Sequence, residues 1–334
     1  KRLKMDKKLR IGLAGVGHLG TFHLKLLNEI KTANLIGFYE IDLEKAKKIS
    51  DEYNVRAYNS LESLLEDVEA LSIVTPTNLH YSVAKIALEK GKHVFIEKPF
   101  TETIPQAKEL ISISEKNNLK IQIGHIERFN PAILSLESYN LQPLFIESHR
   151  LDQFKPRGVD VAVVLDLMIH DIDLILSLVK SQVDRVEANG VAIISDSVDI
   201  ANARITFKSG VVANVTASRI SQKKMRKMRI FQKDAYISID FQQGFSEVFR
   251  LADENEKSND LAVNLGQIEK GKVKRNIVYE QPEIKEVNAL KYELELFVDS
   301  VLKDKPPVVS AQDGLHALEV AEMILEQIEK QKIL

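Results

Sequence analysis

The sequence predicts an α/β protein of two domains. A parallel sheet wound between helices covers residues 1–127, and an α+β domain with a predominantly antiparallel, open-faced sheet covers 128–334. Three observations predict this. Between residues 9 and 125 short β-rich runs alternate with helical patterns, the signature of βαβ units around a parallel sheet. After about residue 127 that rhythm gives way to one long apolar helix followed by a succession of strands. Finally, 334 residues at 44% hydrophobic and 28% charged are too many for one compact domain and ordinary for a globular chain.

The runs 10–14, 35–39, 70–74, 93–96 and 120–123 are apolar and partly β-branched, as strands buried on both faces are. Helical patterns fill the gaps at 19–30, 43–53, 61–65, 79–90 and 104–117. Asp42 and Asn78 stand at cap positions, and Thr103 with Gln106 has capping-box spacing. The apolar helix of the second half is 163–179. Strands are expected at 183–194, 199–208, 211–219, 225–232, 236–240 and 247–251, with Lys208-Ser-Gly210 as a hairpin turn. Residues 252–275, rich in Asn, Glu and Lys, read as a solvated insertion. Amphipathic helices at 289–302 and 311–330 close the chain across Lys305-Pro-Pro, and the last is a candidate to pack back on the first domain.

Composition excludes several function classes. Lys plus Arg at 46 against Asp plus Glu at 48 leave a formal charge of -2, with no excess of cations for nucleic-acid phosphates. With no cysteine there are no disulfides, Cys-ligated zinc, iron–sulfur clusters or thiol nucleophiles. The most apolar region, 161–179, is interrupted by Asp166, His170, Asp171 and Asp173, so it lacks the ~18 apolar residues of a membrane span. The apolar stretch after the basic start is too short for a signal peptide. The expected location is the cytoplasm, with no membrane or nucleic-acid partner.

The strand 10–14 runs directly into Gly15-Val-Gly17-His18-Leu19-Gly20, which opens a helix. Glycines at that spacing allow a tight turn, a close backbone approach to a pyrophosphate, and close helix–strand packing, with the helix N-terminus facing the anion. Glu40 ends the next strand, 25 residues after Gly15, where an acidic side chain can accept both ribose hydroxyls. The context predicts a Rossmann dinucleotide-binding domain. Glu40 would repel a 2′-phosphate and Ile41 follows it, with no Arg to receive one, so NAD is favoured over NADP.

Glu97-Lys98-Pro99 follows the strand 93–96 and places a lysine where open α/β sheets bind ligands. Such a lysine can donate to a reacting hydroxyl or carbonyl, or it can stand in solvent before a proline turn. Thr75-Pro76-Thr-Asn78 ends the preceding strand in the same way and could border the nicotinamide, with His80 just beyond; Asn78 could equally be a helix cap. The expected cofactor set is therefore Gly15, Gly17, His18, Leu19, Glu40, Thr75, Pro76, Asn78, His80, Glu97 and Lys98.

On the helix 163–179, Asp166, His170, Asp173 and Ser177 fall at i, i+4, i+7 and i+11 and form one polar stripe. Burying carboxylates without partners is costly, so something polar must meet the stripe. One reading is a satisfied structural pair. The other is a general base, a His whose proton affinity is raised by a carboxylate one turn away. A metal site is a third reading, which His125 or His149 could join, but no second His stands at i+3 or i+4 from His170. No metal is expected. In the basic run Lys223–Arg229, alternation puts charge on both faces of a strand, as on a solvated face or a Lys-guarded edge; a ligand phosphate is the minority alternative.

Together these segments resemble the Gfo/Idh/MocA oxidoreductase family, which includes glucose-fructose oxidoreductase and inositol 2-dehydrogenase. Gly91-Lys-His-Val-Phe-Ile-Glu-Lys-Pro99 and Asp166-Leu-Met-Ile-His-Asp-Ile-Asp173 are similar to its two signature segments, and Asp313-Gly-Leu-His-Ala-Leu to its C-terminal helix start. The resemblance runs nearly end to end. It implies Lys98, Asp166 and His170 as the catalytic trio, a cis Lys98–Pro99 bond, and a C-terminal sheet supporting homodimers or homotetramers. Within the family, Gly124-His-Ile-Glu-Arg-Phe-Asn-Pro131 and the segment from Arg157 to Met168 resemble the branch that oxidises the 3-hydroxyl of UDP-N-acetylglucosamine. The glycine-rich stretch that precedes Asp-x-x-x-His in many relatives is replaced here by Val159-Asp-Val-Ala-Val-Val-Leu. A UDP-sugar diphosphate needs cations, and Arg128, Arg150, Arg157 and Arg219 are available.

The expected reaction is hydride transfer between NAD and a sugar or nucleotide-sugar secondary alcohol. His170 takes the hydroxyl proton, Asp166 orients the imidazole, and Lys98 steadies the alkoxide; His170 and Lys98 could exchange roles. Arg128, Arg157 and Asp173 are the expected substrate contacts. A free polyol or inositol is the alternative substrate. A non-catalytic NAD-binding regulator and a metal-dependent lyase or hydrolase are the readings from other classes.

Overall fold

The structure is a computed structural model that describes residues 7–154, 161–253, 256, 262–270 and 273–331. The chain divides into two compact units, residues 1–126 with 288–318, and 127–287 with 319–334. Among the described residues no helix is long and apolar enough to cross a membrane.

The first unit alternates as its sequence predicts: β1 (Leu9–Ala14), α1 (His18–Glu29), β2 (Ala33–Tyr39), α2 (Leu43–Tyr53), β3 (Ala57–Tyr58), α3 (Leu61–Asp67), β4 (Ala70–Ile73), α4 (Thr77–Glu89), β5 (His93–Glu97), α5 (Ile104–Lys116) and β6 (Ile121–Gly124). Every pairing is parallel, in the order β3-β2-β1-β4-β5-β6. The strand order reverses between β1 and β4, and a doubly wound sheet binds ligands at that switch point, outside the carboxyl ends of its strands. The two-residue β3 is too short to leave a periodic signal.

Local chemistry sets the helix starts. Asp42 accepts the N–H of Lys45 at 3.0 Å, and Thr103 with Gln106 forms the expected capping box. Asn78 does not cap α4: Pro76 holds the N-cap position, and Asn78 lies inside the first turn. The helix Ala289–Leu302, which the sequence alone assigns to the second domain, belongs to the first unit. Its Leu290, Leu294, Phe297 and Val298 share a buried cluster with Leu9, Ile11, Leu27 and Phe95. That apolar face outweighs its distance along the chain.

A 3-10 turn (Ile126–Phe129) begins on the last residue of the first unit's opening segment and leads into the second unit, to α6 (Pro131–Leu134) and β7 (Phe145–Leu151), a strand absent from the sequence expectations. Residues 163–179 are not one regular α-helix. A π-helical turn at Val164–Met168 runs into α7 (Ile169–Leu178), so the even stripe drawn from Asp166 to Ser177 is broken by a widened turn. Then come β8 (Val183–Val191), β9 (Ile200–Phe207), β10 (Val212–Ser218), β11 (Met225–Gln232), β12 (Ala235–Asp240), β13 (Phe245–Asp253), β14 (Ala262–Lys270) and β15 (Val273–Glu280).

These strands form one nine-stranded sheet in the order β14-β15-β13-β12-β11-β7-β10-β9-β8, antiparallel except where β7 meets β10. On β7, Ile146, Ser148 and Arg150 are buried while Phe145, Glu147, His149 and Leu151 stay half-exposed, so one face is packed and the other open. Two expectations are corrected. The stretch 252–275 is not simply a solvated insertion, because β14 and β15 pair as an edge hairpin. An edge strand exposing Val263 and Leu265 buries no face and so leaves no alternating signature. The basic run is not at an edge either. β11 lies between β12 and β7, and Lys227 pairs with Asp240 at 3.1 Å and Arg229 with Glu147 at 2.9 Å.

Candidate functional site

In the first unit, β1 delivers the chain to Gly15, whose φ of +88° is left-handed. A Cβ on Gly15 would lie 2.7 Å from the Val74 carbonyl oxygen, and one on Gly20 would lie 2.1 Å from the Gly15 carbonyl oxygen. Gly17 is the N-cap of α1 and carries no capping side chain, and a Cβ there would meet nothing within 4 Å. Open space therefore stands over an uncapped helix N-terminus, the geometry a pyrophosphate requires. His18 and Leu19 are exposed in the first turn, with the His18 ring edge-on to Phe22 at 5.2 Å.

Glu40, 8% exposed just past β2, is anchored on the same turn. Its Oε2 accepts the Val16 N–H at 3.1 Å and the Lys45 ammonium at 2.7 Å, and its Oε1 accepts the Asp42 N–H at 3.3 Å. Burial pushes its carboxyl upward, but Lys45 and the two N–H donors outweigh that and hold it below its ordinary value. Lys45 is missing from the sequence expectations. Its signal is its place in the first turn of α2, from which a long side chain can fold back to the strand end.

The ends of β4 and β5 form the neighbouring wall. The Thr75 hydroxyl is buried with no partner among the described residues. Pro76 and Asn78 are exposed, and His80 is 1% exposed with its ring nitrogens 2.9 Å from the carbonyl oxygens of Pro99 and Thr75. Lys98 is half-buried immediately after β5, and its bond to Pro99 is cis. Glu97 points into the sheet interior, where its Oε1 meets His23 Nε2 at 2.9 Å and its carboxylate fills the space that a Cβ on Gly124 would take.

In the second unit, Asp166 lies in the π-helical turn and His170 is the second residue of α7, both half-buried. Asp173 and Arg128, both expected to touch substrate, are joined to each other by two hydrogen bonds of 2.7 and 2.5 Å. Ser177 donates to the Leu174 carbonyl of its own helix. Arg150, 2% exposed, donates to Asp171 at 2.7 and 3.1 Å and to Glu127 at 2.7 Å. Burial opposes its charge, and the two carboxylates more than restore it. Arg219 donates to the carbonyls of Val161 and Val198. Three of the four arginines considered for a diphosphate, Arg128, Arg150 and Arg219, thus have internal partners, and Arg157 lies outside the described residues. Among the described residues no group of three or more His, Cys, Asp or Glu is placed to hold a metal ion.

Two family models match the chain. The oxidoreductase family with an NAD-binding Rossmann fold matches residues 9–125, and the GFO/IDH/MocA C-terminal domain matches 133–238. The chain is 43% identical over 234 residues to UDP-N-acetylglucosamine 3-dehydrogenase of Acidithiobacillus ferrooxidans, covering 70% of this chain and 74% of that enzyme. A solved structure of that enzyme superposes with a TM-score of 0.86 at 35% identity, over 97% of this chain and 98% of the other. The myo-inositol 2-dehydrogenase of Thermotoga maritima is 24% identical over 336 residues, 93% of each chain.

Proposed function

The chain belongs to the Gfo/Idh/MocA oxidoreductase family, and on that premise we propose that it is a dehydrogenase of a nucleotide-sugar secondary alcohol, the 3-hydroxyl of UDP-N-acetylglucosamine. The observation that carries the NAD-linked reading is the cradle itself, an uncapped helix behind two obligatory glycines, with Glu40 on one side and Lys98 on the other. The choice of a UDP-sugar over a free polyol rests on the 43% identity to a UDP-N-acetylglucosamine 3-dehydrogenase, against 24% to an inositol dehydrogenase. Bound NAD supplies the hydride acceptor. NAD is preferred over NADP because Glu40 is ionised where a 2′-phosphate would stand. Lys98 donates to the reacting oxygen, His170 takes its proton, and Asp166 orients the imidazole. The enzyme works in the cytoplasm as a homo-oligomer.

A panel of UDP-sugars and free polyols with NAD, read as absorbance of the reduced cofactor, tests the proposal. UDP-N-acetylglucosamine should be turned over and inositols should not; the reverse result assigns the chain to polyols. Lys98→Met should lower kcat by about 100-fold or more while leaving NAD affinity intact. With alcohol as substrate, kcat/KM should rise with pH through one ionisation, and His170→Asn should remove that limb. If His170→Asn keeps the limb and Lys98→Met loses it, lysine is the base.

A further inference from the structure

Lys98 is flanked in sequence by two residues that are each tied to a buried histidine. On one side, Glu97 Oε1 accepts from His23 Nε2 at 2.9 Å, and His23 Nδ1 lies 3.0 Å from the Ser72 hydroxyl on β4. A carboxylate only accepts, so His23 donates from Nε2 to Glu97, and its Nδ1 faces the Ser72 hydroxyl. On the other side, the Pro99 carbonyl lies 2.9 Å from His80 Nδ1, and His80 Nε2 lies 2.9 Å from the Thr75 carbonyl, just past the end of β4. His23 is fully buried and His80 is 1% exposed. Each ring therefore spans from a neighbour of Lys98 to β4 or its exit. The α1 helix supplies one and α4 the other.

We propose that His23 and His80 are positioning residues for Lys98, a two-sided brace that fixes the lysine-bearing turn against β4. The inference rests on the reading of Lys98 as a catalytic residue and adds two residues that never touch the substrate. It also gives His80 and Glu97 a role other than direct contact with the cofactor: both ring nitrogens of His80 and Oε1 of Glu97 already lie against partners inside the first unit. The chemistry explains the residue type. Each position holds a short, flat ring between two polar partners; at His80 both partners are carbonyls that only accept, so the neutral ring that burial favours donates to one of them at a time, and burial among strands excludes water as a substitute. A turn displaced by about 1 Å is enough to cost about 100-fold in rate.

The test is a double-mutant cycle on the full-length protein with NAD and its alcohol substrate. His80→Leu removes both contacts at similar volume, and His80→Gln restores donors on an uncharged amide. His80→Leu should lower kcat by about 10- to 100-fold with the calorimetric Kd for NAD changed less than about threefold, and His80→Gln should recover most of that loss. His23→Gln against His23→Leu forms the same comparison on the other flank, with the glutamine variant guarding against a fold that fails. In a Lys98→Met background, His80→Leu should cost nothing further, because its effect passes through the lysine. A full, additive loss in that background, or a loss in NAD affinity equal to the loss in kcat, overturns the brace. If Lys98→Met itself retains wild-type turnover, the failure lies with the reading of Lys98.

Discussion

In the proposed reading Glu40 discriminates between cofactors, and a cation is already in contact with it. Lys45 Nζ lies 2.7 Å from Oε2, so the repulsion that a 2′-phosphate would feel is partly screened. The lysine side chain is 38% exposed, and such pairs contribute about 0–1 kcal/mol. NAD should therefore bind more tightly than NADP by about tenfold, about 1.4 kcal/mol, and not by several orders. Lys45→Met should widen the gap and Glu40→Gln should close it. Part of the gain in Glu40→Gln should persist in the double variant, because loss of the carboxylate removes the repulsion with or without the freed ammonium. Calorimetric titration with both cofactors, and with AMP against adenosine 2′,5′-bisphosphate, reads all three. Equal affinity of the unaltered protein for both cofactors would refute the role of Glu40.

A second single residue sets an acid limit on stability. Asp199 accepts the N–H groups of Ile193, Ile194 and Ser195 on Oδ2 and the Ser195 hydroxyl on Oδ1. Burial pushes its carboxyl upward, but these four donors override that and bring it from 3.8 down to about 2. A group depressed on folding contributes stability above its unfolded value and loses it as pH falls through the folded one. Asp199→Asn should therefore cost about 2 kcal/mol at neutral pH, a difference that shrinks between about pH 4 and pH 2. Urea unfolding of both proteins across that range checks it; a gap independent of pH would remove the charge from the explanation. This knot also explains why β8 stops at Val191, short of the expected Ile194: the backbone donors of Ile193 and Ile194 turn to Asp199 instead of a partner strand.

At the scale of elements, the parts of the site that local spacing encodes were legible and those made by distant partners were not. Gly15, Gly17, Gly20, Glu40 and Lys98 each sit at the end of a strand or the start of a helix, and the αβ alternation announces both. Arg150 and Asp171 are 21 residues apart and Arg128 and Asp173 are 45 apart, so no local period links them. The π-helical turn at Val164–Met168 was hidden for a related reason, since an apolar run has the same composition with or without a widened turn. The glycine turn offers the sharpest check on an element. Gly20→Ala would put a methyl 2.1 Å from the Gly15 carbonyl oxygen, so either the turn or the start of α1 must shift. Overpacking of this kind costs about 1–3 kcal/mol. It should appear as a weaker Kd for NAD together with a lower Tm, and unchanged values of both would mean that the turn accommodates the methyl without cost.

At the scale of the whole molecule, the second unit presents an apolar row that is larger than its own fold requires. Phe145, Phe231, Tyr236, Phe249 and Tyr279 stand directly opposite one another across β7, β11, β12, β13 and β15. Successive ring centroids are 5.7, 5.1, 5.7 and 5.0 Å apart. Their neighbours Ile146, Ile230, Ile237 and Val248 point to the packed face and are buried, whereas Phe231 remains 38% exposed and the other four rings half-exposed. Cross-strand aromatic pairs stabilise the sheet itself, but a continuous aromatic row left in water is a site of association. Self-association by a closed two-fold pairing is the commonest outcome for such a face. Sedimentation velocity should therefore find a dimer or tetramer, and Phe231→Glu with Phe249→Glu should shift it to the monomer at concentrations about tenfold or more above the original dissociation point. Because neither ring lies in the first unit, calorimetric NAD affinity should be retained in the double variant. An unaltered protein that sediments as a monomer, or a double variant that keeps its assembly, would leave the row with a role within the sheet alone.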